Sequence, residues 1–388
     1  MPTDWQVRSL GDLADIATGS TPPTGDASNY GDEFLFVSPG DLGVQKFIRN
    51  TEKGLSKKGY SISRRFPKHS VLFVCIGSTI GKCGIASTDL TSNQQINAVF
   101  PALSLSSSYL YYVLSQAGPR IRYQAGEQAV PMVNKTRFSE TAFALPPTKM
   151  EQEAIAAALS DADALIESLE QLIAKKRHIK QGAMQELLQP KDGWVVRTLS
   201  QLADIRSGGT PSTNRAEYWD GGVPWCTPTD ITALKGHKYL TTTSRTITSH
   251  GLKASSAEMI PSGSVVMTSR ATIGECAINR VPLATNQGFK NFVPFQGMDA
   301  EFLYYLLLTK KQDFVGLCSG STFLEIGKTQ LVGFEVALPT QPSEQTAIAT
   351  ILSDMDAELT ALEAKLTKTR QLKQGMMREL LTGRIRLV

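Results

Sequence analysis

Apolar residues recur along this chain in two regimes. Short runs at residues 34–37, 71–74 and 265–267, bounded by Gly, Pro, Ser and Thr, have the length and β-branched content of strands. Two long stretches, about residues 151–188 and 344–381, hold no proline and repeat apolar positions at helical spacing. In the first, Ile155, Leu159, Ala162, Ile166, Leu169 and Ile173 alternate steps of four and three residues. In the second, Ile348, Leu352, Met355, Leu359, Leu362 and Leu366 do the same, so each stretch carries a heptad seam. On an average helix such a stripe packs on its own domain. About 38 residues at about 1.5 Å each make a rod of about 57 Å, longer than a small domain is wide. The two helices are therefore expected to bury each other's seams.

The rest of the chain repeats as well. Trp5, Leu10, Leu13-Ala14-Asp15-Ile16 and Thr21-Pro22 match Trp194, Leu199, Leu202-Ala203-Asp204-Ile205 and Thr210-Pro211 at an offset of 194 − 5 = 189. From Thr79-Ile80-Gly81 onward the offset is 272 − 79 = 193, and it persists through Tyr111-Tyr112, Glu151-Gln152, Ser160-Asp161 and Gln181-Gly182. The net difference, 193 − 189, puts four extra residues in the second copy, expected between residues 213 and 263. The boundaries follow: a domain at 1–147, a long helix at 148–189, a linker at 190–193, a second domain at 194–340, and a second long helix with its tail at 341–388. Each domain reads as strands interrupted by one helix, near residues 109–116 and 302–308. The fold class is α+β, two tandem domains each followed by a long helix. Under a pseudo-twofold the helices pair as an antiparallel coiled coil with the domains at opposite ends. Gly182 and Gly375 should each cost about 1 kcal/mol relative to alanine in a helix. Their recurrence makes Gln181, Gly182 and Met184, with Gln374, Gly375 and Met377, the candidate partner-docking positions.

Composition narrows the chemistry. The five cysteines are odd in number and without CxxC spacing, so neither a disulfide framework nor a zinc site is expected, and they read as buried small residues. The four histidines lack ligand spacing and do not align between copies. The first residues lack a signal-peptide pattern and no apolar run approaches about 20 residues, so a cytoplasmic protein with no membrane partner is expected. Gly77-Ser78-Thr79-Ile80-Gly81-Lys82-Cys83 falls one residue short of a phosphate-loop spacing, and its twin carries Glu275 in place of the lysine. It reads as a strand-to-turn corner. No metal set, catalytic constellation or cofactor fingerprint is present, so none is expected in this chain.

The copies diverge between residues 24–70 and 213–263. The first segment interleaves Lys46, Arg49, Lys53, Lys57, Lys58, Arg64, Arg65 and Lys68 with Phe47, Tyr60 and Phe66. The second interleaves Arg215, Lys235, Lys238, Arg245 and Lys253 with Tyr218, Trp219, Trp225 and Tyr239. Against a formal charge of only +4, such clusters are either a solvated surface or a nucleic-acid face, lysine and arginine holding phosphates while polar and aromatic neighbours reach base edges. The candidate nucleic-acid-facing residues are Arg49, Lys53, Lys57, Lys58, Arg64, Arg65, Lys68 and Lys82 in the first copy. In the second they are Thr210, Ser212, Tyr218, Trp219, Lys238, Arg245, Lys253 and Arg270.

The order of motifs resembles the specificity (S) subunit of type I restriction-modification enzymes. The likeness rests on Leu199 with Leu202-Ala203-Asp204-Ile205 and Gly208-Gly209-Thr210-Pro211-Ser212, on Tyr218-Trp219 before Val223-Pro224-Trp225, and on Ser269-Arg270-Ala271-Thr272-Ile273-Gly274. Leu145-Pro146-Pro147 before Glu151-Gln152, and Lys373-Gln374-Gly375-Met376-Met377-Arg378-Glu379-Leu380-Leu381, complete it. The first copy departs, with Gly19-Ser20-Thr21-Pro22-Pro23 and no Tyr-Trp pair after Asn29. The resemblance implies two target recognition domains, each on one half of a split double-stranded DNA site. It implies helices that fix the spacer and dock two methyltransferase (M) subunits, with restriction (R) subunits in the full complex. S-adenosylmethionine, ATP and magnesium then belong to those partners. The competing reading is a coiled-coil interaction scaffold with no DNA role.

Overall fold

The computed structural model describes residues 2–43, 45–126, 129–318 and 324–387. It divides into two compact units, residues 1–170 with 365–388 and residues 171–364. Each unit thus holds one domain, the start of one long helix and the end of the other.

The first unit begins with β1 (Gln6–Ser9), α1 (Leu10–Leu13), β2 (Ala14–Thr18), β3 (Tyr30–Val37), β4 (Phe47–Ile48), β5 (Lys53–Leu55) and α2 (Lys57–Ile62). It continues with β6 (Arg65–Phe66), β7 (Val71–Val74), β8 (Cys83–Ala86), β9 (Leu90–Ser92), β10 (Ile96–Pro101), α3 (Ser107–Tyr123), α4 (Lys135–Ser139), β11 (Ala142–Leu145) and α5 (Lys149–Leu187). The strands form a main sheet, β2-β10-β7-β8-β4, a smaller sheet, β5-β3-β9-β6, and a β1-β11 pair. Side chains alternate faces along a strand, which explains why residues 71–74 are apolar throughout. Val71 and Phe73 meet α3 and the first turns of α5, while Leu72 and Val74 meet Val37, Ile48, Phe66 and Leu90 on the other face.

The second unit repeats this plan with β12 (Val195–Thr198), β13 (Ala203–Ser207), β14 (Trp219–Cys226), α6 (Pro228–Ala233), β15 (Tyr239–Leu240), β16 (Arg245–Ile247) and α7 (Ser249–Lys253). Then come β17 (Val265–Thr268), β18 (Cys276–Asn279), β19 (Ala284–Thr285), β20 (Phe289–Pro294), α8 (Ala300–Thr309), α9 (Lys311–Gly316), α10 (Lys328–Val332), β21 (Glu335–Leu338) and α11 (Pro342–Leu380). Its sheets are β13-β20-β17-β18-β15, β16-β14-β19 and β12-β21.

Three expectations are corrected. Each domain holds several short helices besides the one foreseen, because capped turns such as Ser56 on the Gly59 amide and Thr248 on the Gly251 amide close single turns that carry no periodic signal. The four extra residues are a net figure. The offset is 219 − 30 = 189 at β3 and β14, 239 − 47 = 192 at β4 and β15, 265 − 71 = 194 at β7 and β17, and 276 − 83 = 193 at β8 and β18. The second copy gains three residues where α6 replaces a turn at Pro39–Asp41, gains two before β17, and loses one in the corner before β18.

The third correction concerns the seam. Ile155 and Leu159 are buried in the core of the first domain, and Ile348 and Leu352 in that of the second, so each helix spends its first turns on the domain it follows. Leu169, Ile173 and Leu359 are buried further along, and Ala162, Ile166, Met355, Leu362 and Leu366 are half-buried. The antiparallel pairing is visible inside each unit. In the first, Asp163 pairs with Lys373, and Glu170 with Arg370 at 2.6 Å. In the second, the equivalent Asp356 pairs with Lys180, and Glu363 with Arg177 at 2.6 Å. The pairs Glu170–Arg370 and Glu363–Arg177 are the more exposed and contribute about 0–1 kcal/mol each, whereas Asp163–Lys373 and Asp356–Lys180 are more covered.

The glutamine of each repeated Glu-Gln pair fastens its helix to its domain. The Gln152 side chain accepts from the Ser106 amide at 2.9 Å, and Gln345 accepts from Asp299 at 3.3 Å.

Candidate nucleic-acid interface

In both units the divergent segment includes an edge strand of the smaller sheet, the strand it pairs with and the following short helix. β5 and β16 pair antiparallel with β3 and β14, and both partners bulge at the same place, between Tyr30 and Phe34 and between Trp219 and Val223. Lys53 lies opposite Phe36 and Arg245 opposite Trp225, one cation at one register position in each copy.

In the first unit Phe34 stacks on Tyr60 at 4.1 Å and the Arg65 guanidinium lies 4.9 Å from the Tyr60 ring centre. Arg64 donates to the Thr18 carbonyl at 2.8 Å. Lys58 is held by Asp26 at 2.7 Å, and this hydrogen bond, helped by Ser28, keeps the Asp26 carboxyl down at about 2. Arg49, Lys53, Lys57 and Lys68 are exposed and form no ion pair with a described residue. Lys82 is half-buried, its stem against Gly43. The loop that carries it is the corner foreseen: Gly77 and Gly81 have φ of 99° and 106°, and the Gly81 backbone sits against that of Gly118 on α3.

In the second unit Trp219 and Trp225 meet edge to face at 5.0 Å, with the Arg245 guanidinium 4.0 Å and 5.3 Å from their ring centres. The indoles are fixed from behind, Trp225 donating to the Gly209 carbonyl at 3.0 Å and Trp219 to that of Ser212 at 3.2 Å. Thr210 hydrogen-bonds Gln287, as Thr21 does Gln94 at 2.5 Å in the first copy. Lys253 is exposed at the end of α7, and Arg270 is paired with Glu325 at 2.7 Å.

Two candidates leave the surface. Tyr218 is buried, edge-on to His250 at 5.1 Å, and supports the turn that carries Trp219. Lys238 is only 6% exposed, its ammonium bound to Glu301 at 2.7 Å, Ser353 at 2.6 Å and Tyr305 at 3.3 Å. A buried ammonium needs such partners, and a sequence cluster shows charge without showing burial.

The equivalent residue in the first copy, Lys46, donates to Ser160 at 2.7 Å beneath the ring of Tyr112, whose hydroxyl donates to Asp163 at 2.7 Å. These joints escaped the sequence reading because 238 − 46 = 192 belongs to neither offset found there. The tyrosine and serine pairs of the repeat were the available signal.

The candidate docking positions divide. Met184 and Met377 pack against the domain cores, whereas Gln181, Gly182 and Gln374 are exposed. Apart from the helix's own backbone, no described atom comes within 4 Å of a methyl built on Gly182 or Gly375, so no other described segment packs against either glycine. In the second unit Gln181 and Met184 line an open groove of about 1190 Å³ with Arg177, Lys180 and His237.

Burial pushes the thiols of Cys75 and Cys83 up to about 12 and about 11, so neither is a nucleophile near neutrality. No group of three His, Cys, Asp or Glu among the described residues could hold a metal ion, and no described helix is long and apolar enough to cross a membrane. Together these features define a duplicated α+β protein with two unlike aromatic and basic surfaces on one repeated frame.

The chain belongs to the type I restriction modification DNA specificity domain family, whose model matches residues 2–175 and 191–374. It is 41% identical over 169 residues to the type I restriction enzyme MjaIX specificity subunit of Methanocaldococcus jannaschii, spanning 43% of this chain and 38% of that relative. To the MjaVIII specificity subunit of the same organism it is 25% identical, covering 100% of this chain and 94% of the relative. The fold is that of the S subunit of a type I restriction-modification system from M. genitalium, with a TM-score of 0.60, 16% identity, and coverage of 97% of this chain and 96% of that one.

Proposed function

We propose that this chain is the DNA sequence-specificity subunit of a type I restriction-modification complex, each domain reading one half of a bipartite duplex site. One observation carries the reading: two copies share a frame to the level of individual hydrogen bonds yet carry different cation-and-aromatic pairs around their smaller sheets, Arg65 on Tyr60 in one and Arg245 on Trp219 in the other, the latter at the register position where the first copy has Lys53. An arginine held against an aromatic ring is pre-organised for a base edge or a phosphate. Family membership favours this over a scaffold without a DNA role.

In this reading the chain is non-catalytic and cytoplasmic. The paired helices dock two methyltransferase subunits, and through them restriction subunits, which carry the S-adenosylmethionine, ATP and magnesium sites. Methylation there requires the target base to leave the stack. The test is selection from a randomised duplex pool by the chain with its methyltransferase partner. A split motif is expected, and equal recovery of all sequences would contradict the proposal.

A further inference from the structure

Among the few residues that the two divergent segments share is a lysine. Lys46 precedes β4, and Lys238 precedes β15, at the same structural position. The backbone carbonyl of each accepts from the equivalent strand residue, Ile85 at 2.8 Å and Ile278 at 2.7 Å. From there each lysine reaches out of the reading segment to a serine on a long helix, Ser160 at 2.7 Å and Ser353 at 2.6 Å. Beside each lysine a tyrosine donates to an aspartate one turn along that helix, Tyr112 to Asp163 at 2.7 Å and Tyr305 to Asp356 at 2.5 Å. A lysine of the other long helix closes on the same aspartate, Lys373 in the first unit and Lys180 in the second. Each joint therefore ties four segments of one unit together: the reading segment, the helix packed on the main sheet, and the two long-helix segments.

Apolar packing already fastens the domain to its helix through Ile155 and Leu159, or Ile348 and Leu352. Such packing is non-directional. A hydrogen-bonded ionic cluster is directional, because an off-angle arrangement strands a desolvated charge. The joints also differ. The second holds two carboxylates, Asp356 and Glu301, for Lys180 and Lys238. In the first, the position of Glu301 is Ser108 (301 − 193), leaving Asp163 between Lys46 and Lys373.

We propose that Lys46 and Lys238 are positioning residues that fix the angle of each reading segment on its own helical support, and so set how strictly the complex discriminates spacer length rather than which bases it selects. This rests on the DNA-specificity reading above.

The test uses the full chain with its methyltransferase subunits and a duplex pool randomised in both half-sites and in spacer length. Lys46→Gln, and the charge-balanced pair Lys238→Gln with Glu301→Gln, are each expected to recover wild-type half-sites. Spacers one base pair from the optimum should be enriched at least threefold over wild type. Ser108→Glu with Phe47→Tyr rebuilds the second joint in the first unit, where Tyr239 bonds Glu301, and is expected to narrow the tolerated spacers. Altered bases with an intact spacer preference would make these lysines reading residues and overturn the proposal. Unchanged spacers in all three variants would reduce the joints to stability and overturn it too. A wild-type chain that selects no split motif would instead refute the DNA reading, and this one with it.

Discussion

Arg245 shows what a single side chain contributes to the reading surface. Its guanidinium lies against two indoles that are themselves hydrogen-bonded to backbone carbonyls, so little freedom remains to be lost on meeting DNA. Arg245→Ala is expected to relax base choice in one half-site by about 1–3 kcal/mol and leave the other unchanged, read by competition with single-base variants of the site. Lys58 is the opposite case, since Asp26 occupies it. Asp26→Asn should free the ammonium for a phosphate and steepen the salt dependence of binding by about one phosphate's worth, about 0.9 in log–log slope. An unchanged slope would place Lys58 away from DNA. At this scale the sequence was legible in part. The clusters were found, but Tyr218 and Lys238 belong to the interior, because composition along a segment carries no information about which way a side chain turns.

Elements explain why the frame persists while its surface drifts. The helix after each edge strand begins where Gly59 or Gly251 lies against the preceding turn. A methyl on Gly59 would meet the Asn29 carbonyl oxygen at 2.0 Å, and one on Gly251 that of Tyr218 at 2.5 Å. Alanine at either position is expected to cost more than about 2 kcal/mol, as overpacking against backbone does, measured as the shift in urea midpoint. The joint at Lys46 gives a second test. Burial, aided by Lys373 and opposed by Asp163, lowers its ammonium from an ordinary 10.5 to about 8. The folded chain then holds fewer protons than the unfolded one between those values, so this residue's contribution to stability improves as pH rises from about 8 toward 10.5. The stability difference between wild type and Lys46→Met should move in favour of wild type between pH 7.5 and 10. A difference independent of pH would contradict the assignment. The long helices and the buried strands were legible because their periods are long or their runs wholly apolar. The short capped helices were not, since one turn leaves no period, and the first turns of each seam proved to serve the domain core.

For the whole molecule, duplication was the feature that sequence carried best, and two insertions and a deletion hid the structural match of the reading segments until strands could be paired. If the helices measure the spacer, inserting four residues after Leu169 and after Leu362 should lengthen the preferred spacer and leave both half-sites as they were, as seen by methylation mapping. The central claim is that each divergent segment is an independent reader on a common frame. It is tested most directly by replacing residues 24–70 with residues 213–264, the equivalent stretch of the second copy, and reading the site selected by the assembled methyltransferase. The account predicts one half-site sequence recovered twice. Recovery of the original two unlike halves would contradict it.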